Sequence, residues 1–166
     1  APDLLVTGDG RHLAVRTGSG MALLRERAGD YTRSILAENS GIDDDALEAL
    51  GVQPGVRCSE DICLVEVTAD DRRWRLLATR SAYLIPWSDM VALCRTTDIV
   101  VSERRLPPGC TPRWRKLDRP ALARTGGVAI VFAGPAIRPV RGTARHPWIA
   151  PLTVQPRFVP ERVGPP

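Results

Sequence analysis

The sequence predicts an α/β fold of short mixed strands with three to four helices, and three observations predict it. Short β-prone runs alternate along the chain with helical patterns. Gly, Asp and Pro clusters punctuate nearly every junction between them. Of the 166 residues, 43% are apolar and 25% charged, enough to bury a core within one unit.

The elements follow in order. Asp3–Val6 is apolar and β-prone, and Thr7-Gly8-Asp9-Gly10 has turn chemistry. His12–Arg16 alternates, Thr17-Gly18-Ser19-Gly20 turns again, and Met21–Leu24 makes a third strand. Gly29-Asp30 opens a helix reaching about Asn39, with Tyr31, Ile35 and Leu36 at helical spacing. Asp43-Asp44-Asp45 caps a short helix ending before Gly51. Val56–Ser59 and Ile62–Thr68 form a hairpin, and Ala69-Asp70-Asp71 turns into a strand over Arg72–Thr79. There Trp74, Leu76 and Ala78 share one face, and Arg73, Arg75 and Leu77 the other. Pro86 precedes a helix through Cys94 with Trp87, Met90, Val91 and Cys94 on one side. Ile99–Ser102 is a strand, and Arg104–Arg115 an irregular Pro-bearing loop. Asp118 caps a helix with Pro120 in its first turn; Gly126-Gly127 ends it before a buried strand over Val128–Ala133.

Residues 1–134 are expected to form the folded domain and residues 135–166 a Pro-rich tail, which cannot supply central strands. No apolar run approaches the ~20 residues of a membrane span. The first residues lack the basic and apolar regions of a signal peptide. The chain opens on Ala1-Pro2-Asp3 instead of Met, so the expectation is a processed product or a piece cut from a longer protein.

Charge is unevenly placed. Residues 1–70 hold 6 Arg against 13 Asp and Glu, whereas residues 71–166 hold 17 Arg and Lys against 6 acids. A basic half beside an acidic half fits a polyanion-facing surface, or two halves packed on each other. Arg outnumbers Lys 22 to one, which codon composition alone also produces.

The four cysteines are Cys58, Cys63, Cys94 and Cys110, and they allow three pairings. Cys58 and Cys63 flank a four-residue hairpin loop and would face each other across paired strands. Cys94 ends a helix and Cys110 lies in a Pro/Gly loop. Two disulfides would mean an oxidising compartment. The rivals are a four-thiolate zinc site, whose usual tight second pair is missing, and four free buried thiols.

Little of the sequence carries hydrolytic chemistry. His12 and His146 stand far apart, and no H-x-H-x-D-H or H-E-x-x-H run, phosphate loop or nucleophile elbow is present. Asp43-Asp44-Asp45 suits a hard cation, or more ordinarily a solvated helix start. The informative cluster is Arg104-Arg105 with Arg113-Trp114-Arg115-Lys116. Its cations suit phosphates and its indole a stacked base, the pattern of a strand-binding groove. The plainer account is a loop with Trp114 packed on the core and solvated arginines. Arg73, Arg75 and Arg80 extend the cationic surface if the sheet places them on one side. No small-molecule cofactor is expected.

The order of these segments resembles the C-terminal soluble domain of ComEC-type competence proteins, in its alphaproteobacterial form. The resemblance is carried by Asp3–Gly10, His12–Thr17, Met21–Arg25 and Arg27–Tyr31. It continues through Cys58…Cys63, Trp74–Arg80, Asp98–Ser102 and Ala121–Ala129. It covers residues 1–134 and implies a reduced, degenerate metallo-β-lactamase-like sandwich. It also implies a non-catalytic, periplasmic domain of a longer inner-membrane protein that takes part in uptake of transforming DNA. The implied partners are single-stranded DNA and the membrane channel part of the same or a neighbouring polypeptide. The alternatives are a structural or protein-interaction module without DNA contact, and an active metal-dependent nuclease.

The departures from that family bear on activity. Its histidine-rich metal motif falls where Asn39–Gly55 has no His. Its strand-ending carboxylate falls at Arg80, and its later paired-His motif at Ser102-Glu103-Arg104-Arg105. An Arg supplies positive charge to phosphate but makes no metal hydroxide.

Overall fold

The structure is a computed structural model, and it describes residues 1–141. The tail beyond, with His146, lies outside the described residues. The described residues form an α/β sandwich of two mixed sheets with three α-helices.

The first sheet begins as a meander of β1 (Leu4–Thr7), β2 (Leu13–Thr17) and β3 (Gly20–Leu23). The helix α1 (Asp30–Ser40) follows and ends on Gly41 in the left-handed conformation. Leu36, Ala37 and Ser40 are its buried residues, and Tyr31 is 80% exposed. Tyr31 lies five positions before Leu36, about 140° around the helix, so the two cannot share a face. The Asp43–Val52 stretch holds two 3-10 turns around β4 (Glu48–Ala49), which pairs parallel to β3, where the sequence predicts one capped helix. Asp43 makes no side-chain cap bond.

The second sheet begins with β5 (Val56–Cys58), β6 (Ile62–Ala69) and β7 (Arg72–Thr79), an antiparallel run. Asp70 and Asp71, with φ of 49° and 58°, make the two-residue turn between β6 and β7. The sheet is completed by β8 (Ile99–Val101) and β9 (Arg115–Leu117), both parallel to β7. Between β7 and β8 runs α2 (Trp87–Arg95), whose Met90 and Cys94 are buried; its first residue, Trp87, stands 68% exposed. The helix α3 (Arg119–Thr125) starts on the Asp118 cap, which accepts from the Ala121 amide, and carries Pro120 in its first turn. It leads into β10 (Gly127–Val131), which pairs with β1. Beyond residue 134, β11 (Ala136–Pro139) pairs with β10 as an edge strand, a position that tolerates its proline.

The strand orders are β11-β10-β1-β2-β3-β4 and β5-β6-β7-β8-β9. Leu4, Leu13, Val15, Val65, Trp74, Leu76, Ile99, Leu122 and Ile130 fill the space between the sheets. On the outer face of the first sheet, Leu5, Ala14, Met21 and Leu23 pack on Leu36 and Ala37 of α1. On the outer face of the second, Leu77 and Val100 pack on Met90 and Cys94 of α2. The layers therefore run helix, sheet, sheet, helix.

Two disulfides tie this arrangement together. Cys58–Cys63 joins directly opposed residues of β5 and β6, with Cα atoms 4.1 Å apart. Cys94–Cys110 fastens the end of α2 to the loop before β9, and no described cysteine is free. No helix among the described residues is long and apolar enough to cross a membrane.

Candidate functional site

One end of the sandwich gathers the ends of strands from both sheets. β1 and β3 finish there, β2 starts there, and the parallel pair β7 and β8 finishes there. The two sheets meet closely at Gly10. Its φ of +71° and the 2.6 Å separation between a Cβ placed there and the Ser102 carbonyl oxygen leave room only for glycine. Beside this contact opens a cleft of about 470 Å³, lined by Arg11, His12, Arg25, Glu26, Arg27 and Arg80 over a floor of Leu24 and Leu50.

Each cation reaches the cleft for a local reason. Arg80 follows Trp74, Leu76 and Ala78 at even spacing, so it keeps the inward parity of β7 just past the buried core. Its Nε donates to the Ser59 carbonyl at 2.8 Å. Arg25 follows β3, and its Nε donates to the Arg11 carbonyl at 2.7 Å while another nitrogen donates to the Arg80 carbonyl. Arg25 thereby ties the first sheet to the second. Glu103 lies 3.4 Å from both Arg11 and Arg25 and is their shared counter-charge. Arg27 and Arg80 enter no ion pair among the described residues.

His12 sits among these cations with its Nδ1 buried and without a hydrogen-bond partner. Burial holds its pKa below the ordinary value of 6.5, and the charges of Arg25 and Arg11 push the same way against Asp9 and Glu103. Burial works to raise the Asp9 pKa, but bonds from Thr7 and the Arg11 amide and the charges of His12 and Arg11 prevail and lower it.

Arg80 and Ser102 stand at the adjoining ends of β7 and β8, where the resembled family would hold a metal ion. The residues present do not fit such an ion. Guanidinium groups have no lone pair to give, and Arg25 and Arg80 would repel a dication. Ser102 is fully buried and takes a bond from Thr79 at 2.8 Å. Among the described residues no three His, Cys, Asp or Glu side chains group so as to hold a metal. What the cleft offers instead is a preset field for an anion.

The basic cluster expected around the Arg104–Lys116 loop is divided. Arg104 and Arg105 follow β8 at the cleft end, whereas Arg113, Trp114 and Arg115 lie at the start of β8 and β9. At that opposite end Asp98, only 2% exposed, accepts from the Arg75 amide at 2.8 Å and lies 3.6 and 3.5 Å from Arg72 and Arg113. Trp114 packs on the core: its ring centroid is 5.2 Å from that of Trp74, which also stacks on Phe132. Arg115 lies over the Trp114 ring, and Lys116 donates to the Pro107 carbonyl. Arg73 and Arg75 face outward, Arg75 pairing with Glu66 at 3.2 Å. They share neither face nor end with Arg80, so the three do not make one surface.

Sequence reasoning missed Arg11, Arg25 and Arg27 as site residues. The available signal was their position: each lies just outside a strand of the first meander, where side chains project past the core. No family model matches the chain, and neither a curated protein nor a solved structure matches it.

Proposed function

We propose that this chain is a non-catalytic domain of a competence-type membrane protein and contacts the phosphates of incoming single-stranded DNA through its arginine cleft. The observation that carries this reading is the cleft itself: four arginines face two glutamates where strands of both sheets end. Guanidinium groups suit phosphate oxygens, and the excess of positive charge favours a polyanion. Arg80 also supports the non-catalytic part, because it neither binds a dication nor generates a hydroxide nucleophile. The two disulfides support an oxidising location, which for a competence protein is the periplasmic side of the inner membrane.

The test is anisotropy of a labelled oligonucleotide titrated with the domain across a salt series. Binding that weakens with salt and with loss of Arg27 and Arg80 is expected; absent or salt-independent binding overturns the DNA contact. Incubating DNA with the domain and zinc or manganese tests the non-catalytic part, and turnover would refute it.

A further inference from the structure

We propose that the surface made by Tyr83, Leu84 and Trp87 with Arg104, Arg105 and Arg119 is a docking site for an anionic phospholipid bilayer. The segment joining β7 to α2 holds Tyr83 and Leu84, and α2 opens on Trp87, at 61%, 70% and 68% exposure in that order. A single exposed apolar side chain is ordinary, but three on one short segment form a patch. All three line one crevice together with Arg104 and Arg105. Leu84, Arg104 and Arg105 line the adjoining pocket of about 490 Å³, whose third arginine is Arg119. No carboxylate lines either one among the described residues. A guanidinium nitrogen of Arg104 donates to the Ala82 carbonyl, fastening the cationic segment to the apolar one.

Aromatic groups beside arginines suit a single strand as well as a membrane surface. Leu84 decides between them. It is the most exposed of the three and has no face on which a base stacks. An interfacial membrane site takes Trp, Tyr and Leu alike at the acyl boundary, with Arg at the depth of the phosphates. The patch shares no residue with the arginine cleft, so this inference goes beyond the function proposed above and does not depend on it.

The test is sedimentation of the full chain with vesicles of phosphatidylglycerol and phosphatidylcholine in equal parts, against phosphatidylcholine alone. Binding to the anionic vesicles only is expected, weakening roughly fivefold for each of Arg105→Ala and Arg119→Ala. Leu84→Asp should abolish it without moving the melting temperature, since the side chain is exposed. Trp87→Phe should still bind but lose most of the fluorescence quenching that brominated acyl chains cause. Equal binding to neutral vesicles, binding unaffected by Leu84→Asp, or quenching that survives Trp87→Phe would each overturn the proposal. So would a Leu84→Asp protein that keeps vesicle binding and loses oligonucleotide binding, because it makes the patch a nucleic-acid surface. Failure of vesicle binding with intact salt-dependent oligonucleotide binding removes the bilayer site and leaves the cleft standing.

Discussion

Arg27 and Arg80 are the two cleft cations without an ion-pair partner among the described residues, and replacing both with Ala tests the phosphate reading most directly. Arg11 and Arg25 already share Glu103, and Glu26 offsets a further charge on the rim. With His12 neutral, the cleft holds two more positive charges than negative ones, so it can neutralise about two phosphates. For a single strand each neutralised phosphate contributes about 0.7 to the slope of log affinity against log salt, giving a slope near −1.4. Affinity should then fall roughly sevenfold between 50 and 200 mM salt. In the Arg27→Ala/Arg80→Ala protein the slope should approach zero. Anisotropy with a labelled oligonucleotide measures both slopes, and thermal melting checks that the fold is intact. Arg80→Ala also removes the bond to the Ser59 carbonyl, so Arg80→Lys serves as a charge-keeping control. An unchanged slope in the double variant would show that phosphates bind elsewhere, and the reasoning from net cleft charge would be wrong.

Three further outcomes follow from the same geometry. Asp98→Ala strands the Arg75 amide and removes the partner of two half-exposed arginines. It should lose about 3 kcal/mol in urea unfolding, whereas Asp98→Asn, which keeps an acceptor, should lose about 1; equal losses would contradict this division. Removing Cys94–Cys110, with a separation of 16 residues, should cost about 3 kcal/mol and removing Cys58–Cys63, with a separation of 5, about 2; a reversed order refutes the chain-entropy account. His12 has a folded pKa below its ordinary 6.5, so the unfolded chain takes up the proton first and stability should fall as pH drops below 6.5 toward the folded value. His12→Gln should flatten that part of a stability-against-pH curve, and an unchanged curve would show that His12 is not the group responsible.

The strands with strong alternation were legible in the sequence because burial on one face writes itself into a period of two. β7 is the clearest case: its bounds and both faces match the reading of Arg72–Thr79. The Asp118 cap and the hairpin bringing Cys58 to Cys63 were legible too, since both depend on near neighbours. β4 and β9 were not. Glu48–Ala49 and Arg115–Leu117 carry no local strand pattern and exist because β3 and β8 offer them open edges. The cleft was illegible for the same reason. Arg11, Arg25 and Arg80 are far apart along the chain and are assembled only by the stacking of two sheets. Local clustering instead pointed to Arg104–Lys116, which the length of β8 and β9 pulls to opposite ends.

The tight contact at Gly10 has a bearing on how a ligand would be received. The lack of room for a Cβ between Gly10 and the Ser102 carbonyl keeps the halves of the sandwich close, and the bond from Arg25 to the Arg80 carbonyl holds them from swinging apart beside the cleft. A guest therefore meets a mould already set. Capture should proceed without a slow opening step, and its speed should follow electrostatic attraction, fast in dilute buffer and slower in brine.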